Sequence, residues 1–181
     1  MMKQALVIID IQNDYFPGGK MELSQPEEAL TIVKQLEKHF AEAHLPIFYI
    51  QHLNHRKGAS FFEAGTIGAE LHAELAVEKD ALIIEKHFPN SFYQTDLEAK
   101  LRELNVEQLV ITGMMTHMCV DSTTRAAAEL GFQPILIGDA TATRDLEVAE
   151  KKVAAADVQT AFLAALTSFA EVKPAADYLQ G

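Results

Sequence analysis

The run Ala5-Leu-Val-Ile-Ile9, closed by Asp10, decides the fold. It is short, apolar throughout and β-branched, which is how a strand covered on both faces reads. Four further runs repeat the pattern: Pro46-Ile-Phe-Tyr-Ile-Gln51, Ala81-Leu-Ile-Ile-Glu85, Gln108-Leu-Val-Ile-Thr112 and Pro134-Ile-Leu-Ile-Gly138. Segments of helical spacing separate them. Residues 27–43, behind Pro26, gather Leu30, Val33, Leu36, Glu37 and Phe40, and residues 95–104 align Leu97, Leu101 and Leu104. Residues 120–130 stop at Gly131, and Asp157 can cap a helix carrying Phe162, Leu163, Leu166 and Phe169. A short last strand is expected around residues 169–172. The alternation predicts an α/β three-layer sandwich in one domain spanning 1–181. Its five- or six-stranded, mainly parallel sheet has an order resembling the Rossmann-like 3-2-1-4-5-6. Residues 52–72 are the least regular stretch and read as a lid or an oligomer contact.

Composition narrows the function. Twenty-six acidic against fifteen basic residues give a formal net charge of -11. That balance disfavours nucleic acid and anionic membrane surfaces as partners, because both are held by basic side chains. The apolar run near the start is too short to span a bilayer and lacks the small-residue cleavage site of a secretory leader. One cysteine, Cys119, cannot cross-link the monomer, so a reducing cytoplasm is the expected location. Neither GxGxxG nor a phosphate-loop signature is present.

In a parallel α/β sheet, ligands bind beyond the carboxyl ends of the strands. Asp10 follows the first run, Lys86 the third, and Cys119 the fourth after a loop. The topology therefore gathers three reactive groups on one rim. Each also has a plain structural explanation: Asp10 as a turn cap, Lys86 as a solvated charge, Cys119 as a small buried hydrophobe. Cys119 falls in Gly113-Met-Met-Thr-His-Met-Cys119, near the first turn of a helix that Thr116 could cap, where free N–H groups favour a thiolate or an oxyanion. Together the three suit nucleophilic acyl chemistry. The thiol attacks a carbonyl, the carboxylate takes and returns the proton, and the lysine steadies both anions. His117 is a second base candidate, two residues from the cysteine.

Four stretches carry a resemblance. They are Leu6-Val-Ile-Ile-Asp10-Ile-Gln-Asn-Asp-Tyr-Phe16, Glu85-Lys86-His-Phe-Pro-Asn-Ser-Phe92 with Thr95-Asp-Leu97, Gly113 to Ala127, and Gly138-Asp-Ala-Thr-Ala142. The chain resembles the isochorismatase-like cysteine hydrolases, a group that includes nicotinamidases, N-carbamoyl amidases and streptothricin hydrolases. The resemblance implies an Asp10-Lys86-Cys119 triad and a non-proline cis peptide at Met114-Met115. It also implies an oxyanion site on the Met115 and Cys119 backbone N–H groups, and a homodimer or homotetramer. Cys119 turns the expected reaction from vinyl-ether cleavage toward a C–N bond, with a small amide or lactam as substrate. Nicotinamidase, N-carbamoyl or ureido amidohydrolase activity, and an inactive small-molecule-binding protein, are the alternatives.

Nicotinamidases carry Asp-x-His after the second strand to hold a divalent metal. Here His52 and Asn54 stand at those places, so the chain resembles the metal-poor, streptothricin-hydrolase-like branch more closely. No cofactor is expected, although His52 and His55 could contribute to a metal site. Gln12, Phe16, His52, Phe88, Phe92 and His117, with Tyr15, are the expected substrate-binding residues. Asp121, Asp139 and Arg125 are read as capping, pairing or subunit contacts.

Overall fold

The computed structural model describes residues 2–180. Six strands form one parallel sheet: β1 (Gln4–Ile9), β2 (Ile47–His52), β3 (Leu82–Lys86), β4 (Gln108–Met114), β5 (Gln133–Ala142) and, after a hairpin of β6 (Leu146–Val148) and β7 (Lys151–Val153), β8 (Glu171–Lys173). The order β3-β2-β1-β4-β5-β8 is the doubly wound one, with the sheet growing outward from β1 in both directions. Helices α1 (Pro26–Glu42), α2 (Leu97–Glu103), α3 (Asp121–Glu129), α4 (Ala155–Leu166) and α5 (Ala175–Leu179) complete the chain.

The central strands are apolar on both sides because both sides are covered. Leu6, Ile8 and Val110 face one core with Val33, Leu36 and Phe40 of α1. Ala5, Val7, Ile9 and Ile111 face the other with Leu97, Leu101 and Ala127 of α2 and α3. β3 departs from this expectation: as the sheet's edge it alternates, with Ile84 and Lys86 buried and Ile83 and Glu85 exposed. The last strand begins at Glu171, two residues later than expected. The hairpin β6–β7 and the short α5 were outside the sequence reading.

Two local features set the rim of the sheet. Asp10 has φ of 51°, a left-handed conformation that turns the chain sharply off β1, and aspartate tolerates this better than most residues. Gly113, opposite Ile9 in the β1–β4 register, has φ of 118°, and a Cβ built there would overlap the Ile9 backbone. Only glycine allows β4 to approach so closely there. Gly113→Ala is expected to destabilise the fold by about 3 kcal/mol or more, through backbone overlap that no rotamer relieves. A urea unfolding curve of the variant beside the parent checks this.

Candidate active site

Four strands deliver one group each. Asp10 leaves β1, His52 and Lys86 end β2 and β3 as register partners, and Cys119 lies five residues beyond β4. Cys119 sits in a single π-helical turn, Thr116–Val120, which runs into α3 and is closed by Val120 N–H on the Met115 carbonyl at 3.2 Å. Such wide turns are frequent at functional positions. Thr116 does not cap this turn; its hydroxyl donates to Gln159 Oε1 on α4 at 2.7 Å. The Met114-Met115 peptide is cis.

The Lys86 ammonium is the centre of the group. Nζ lies 2.9 Å from Asp10 Oδ2, 3.0 Å from His52 Nδ1, 3.1 Å from the Phe88 carbonyl and 3.3 Å from Cys119 Sγ. An ammonium has three protons, so four acceptors compete for them and the sulfur, the most distant, is the weakest claimant. His52 Nδ1 is also 3.7 Å from Asp10 Oδ2 and 3.9 Å from Sγ. Asp10 and Lys86 are wholly buried, and Cys119 is 2% exposed.

Burial and charge fix the protonation states. Desolvation pushes Asp10 up, yet the Lys86 ammonium against it offsets this and the carboxyl is held below its ordinary value. Burial also opposes a charged lysine, but Asp10 and the sulfur together raise Lys86 above its usual range. The Cys119 thiol is driven far up by burial and by the Asp10 charge, with Lys86 only partly compensating. The resting cluster is therefore carboxylate, ammonium and thiol. Both Asp10 oxygens are buried and neither receives a hydrogen bond, Oδ2 facing Lys86 as an ion pair, so the carboxylate keeps the capacity to accept the thiol proton.

The expected pocket residues divide. His52 belongs to the cluster and is its most accessible side chain, 17% exposed. Gln12 is buried and structural: both amide protons go to carbonyls, of His52 at 2.9 Å and Ala69 at 2.8 Å, and its Oε1 accepts from His52 N–H. It fixes the backbone of His52. Phe16 is buried against the His72 ring, Tyr15 against Phe62, and Phe92 stacks on Phe132. Phe88 reaches the cluster through its carbonyl, while its ring is exposed beside Tyr93. His117 is buried, 2.6 Å from Thr143 Oγ1, with burial and then Arg144 keeping its pKa low. Asp121 pairs with Arg125, and Asp139 accepts the Ala175 N–H.

Asp14 emerges as a structural residue. Its buried carboxylate accepts from Phe62 N–H at 2.6 Å and Lys20 N–H at 3.1 Å; Gly68 packs on that carboxylate and Gly19 on the Asp14 backbone carbonyl so closely that neither could carry a Cβ. It ties the 52–72 segment to the turn that follows β1.

Two groups of metal-ligating side chains occur among the described residues, Asp10-His52-Cys119 and His55-Glu85-His87. His52 and His55 thus fall in different groups and do not act as a pair. The first group does not fit a divalent ion of the kind nicotinamidases hold, because the Lys86 ammonium already stands within 3.3 Å of all three ligand atoms.

A thiol beside a buried carboxylate and an ammonium is the machinery of a cysteine-dependent hydrolase. On this fold the C–N bond it attacks is a non-peptide one. The chain belongs to the isochorismatase family: the profile of the Isochorismatase domain matches residues 4–173. It is 44% identical over 180 residues to the uncharacterised isochorismatase family protein YddQ of Bacillus subtilis, covering 99% of this chain and 100% of that one. The secreted isochorismatase effector Isc1 of Verticillium dahliae is 33% identical over 87% of this chain and 84% of its own. The crystal structure of an inferred isochorismatase hydrolase from Oleispira antarctica superposes with a TM-score of 0.95 at 39% identity, covering 99% and 97%.

Lys86→Met, which leaves the Asp10 carboxylate buried and unpaired, is expected to lose about 3–5 kcal/mol at neutral pH. Because the folded Asp10 pKa is depressed, the ion pair stabilises the parent above the unfolded carboxylate value and fades as pH falls through the folded one. Urea titrations of parent and variant between pH 3 and 7 should therefore converge toward the acid end.

Proposed function

We propose that the protein hydrolyses the C–N bond of a small carboxamide or lactam through a thioester on Cys119, with no metal in the reaction. The observation that carries this reading is the Lys86 ammonium in contact with Asp10, His52 and Cys119 at once. Cys119 Sγ bonds to the carbonyl carbon as its proton passes to Asp10. Asp10 returns that proton to the nitrogen as the C–N bond breaks. Water then adds to the thioester, giving a proton to Asp10. The C–S bond breaks, the sulfur recovers the proton, and the acid leaves. Lys86 steadies both anions throughout. The oxyanion falls to the Met115 and Cys119 N–H groups, the first just before the turn that presents the sulfur and the second within it.

His52 takes the substrate-orienting role in this reading. Its Nδ1 accepts from Lys86, so a neutral ring carries its proton on Nε2, on the side away from the ammonium. That N–H suits a carbonyl or carboxylate oxygen next to the scissile bond. His52→Ala is expected to raise KM about tenfold, the worth of one hydrogen bond, with a smaller effect on kcat.

A place nearer the streptothricin-hydrolase-like branch than the nicotinamidases goes with this reading. It is supported by Asn54 where a histidine ligand would be and by the ammonium among the remaining ligands. A homodimer or homotetramer goes with it too, supported by Met118, Val148 and Val153, which stand exposed beyond the site. Light scattering on the eluting peak tests the assembly.

The deciding experiment is a panel of primary amides, lactams, N-carbamoyl compounds and nicotinamide, read by product and intact-protein mass. The parent should accumulate an acyl adduct on Cys119, and C119A should lose the adduct and at least about a thousandfold in turnover. Full turnover by folded C119A removes the mechanism. In a pH profile of kcat/KM the Asp10 limb should lie below about pH 4, since the reactive carboxylate is held below its ordinary value.

A further inference from the structure

Glu85 and His87 lie on either side of Lys86, and alternation along β3 turns Glu85 to solvent while Lys86 is buried. His55, beyond β2, completes a second cluster at this edge of the sheet. His55 Nε2 is 3.1 Å and His87 Nε2 3.5 Å from the same Glu85 oxygen, Oε1. The two imidazole centroids are 5.0 Å apart at 62°. We infer that His55, Glu85 and His87 form a binding site for a divalent transition ion of the zinc class, separate from the catalytic cluster and independent of the hydrolase reading.

Two observations support it. His87 Nδ1 is 2.9 Å from the Leu53 carbonyl, which can only accept, so Nδ1 carries a proton and Nε2 of a neutral ring presents a lone pair. That lone pair faces a carboxylate oxygen, another acceptor, and the contact is favourable only with a cation between them, a second ring proton or a metal ion. A ring N–H held by a backbone carbonyl is also how metal-bound histidines are oriented. The spacing agrees. Zinc bound tetrahedrally at about 2.0–2.2 Å sets its ligand atoms roughly 3.3 Å apart. Both measured separations lie within a few tenths of an ångström of that. Two histidines and one carboxylate leave a fourth position for water, which the exposure of all three side chains permits. The bound ion would join the exits of β2 and β3, the strands that end in His52 and Lys86.

Chelator-treated protein titrated with zinc chloride by calorimetry tests the site, with the C119S variant as the control for binding at the cysteine. Parent and C119S should each take up one equivalent, while H55A and H87A should each weaken binding at least tenfold. Zinc should raise the melting temperature of parent and C119S and leave that of an H55A/H87A double variant unmoved. Metal-free melts confirm that each variant is folded, and H55A alone, altering a side chain that is 63% exposed, serves if the double variant is not. Cobalt in place of zinc should give visible d–d bands without thiolate charge transfer. The site is refuted if the parent takes up no zinc at a hundred micromolar, if binding persists in the histidine variants, or if C119S abolishes it.

Discussion

A buried ammonium holds the reactive rim together. Taking Lys86 out of water is unfavourable by itself, and the rim is arranged so that every side of it meets an acceptor. The acceptors come from the end of β2, from just beyond β1 and β3, and from the turn after β4. Strand pairing places Lys86 beside His52, and the left-handed turn at Asp10 keeps its carboxylate within reach of both. The charge balance then sets the chemistry. The carboxylate remains an anion and the sulfur remains a thiol, so the base is ready before the nucleophile is made.

A second tier of residues never touches the ammonium yet fixes those that do. Gln12 clamps the backbone of His52, and Asp14 secures the segment that follows β2. Gly113 lets β1 and β4 close at the level where Asp10 departs. On the far side of the molecule, the buried Glu37 receives the Tyr49 hydroxyl at 2.6 Å beside a cavity of about 730 Å³ that contains none of the cluster. α1 thus carries its own polar anchor, apart from the chemistry.

The strands were legible because doubly covered strands leave long apolar runs, and the reactive residues were legible because Asp10 and Lys86 close such runs and Cys119 follows one after a loop. What escaped the sequence depends on distance relations that spacing does not encode. Gln12 and Phe16 sit as close to Asp10 in the chain as any pocket residue would, but the first is consumed by main-chain partners and the second packs on His72. His52 and His55 look like a pair because they are three residues apart, yet the strand ends between them and they part company. The hairpin β6–β7 is too short and too exposed to show a periodicity. The wide turn bearing Cys119 has no sequence signal beyond its neighbours, and Asp14 reveals its role only when Gly19 and Gly68 are seen against it.

Asp14 also divides that segment into two kinds of position. Phe62 is anchored to its carboxylate and Gly68 packs against it, whereas residues 55–58 between the strand and that anchor are exposed. Arg56 and Lys57 in that outer span can be exchanged without disturbing the pinning points, so the shape and charge of this edge can drift while the reactive core stays unaltered.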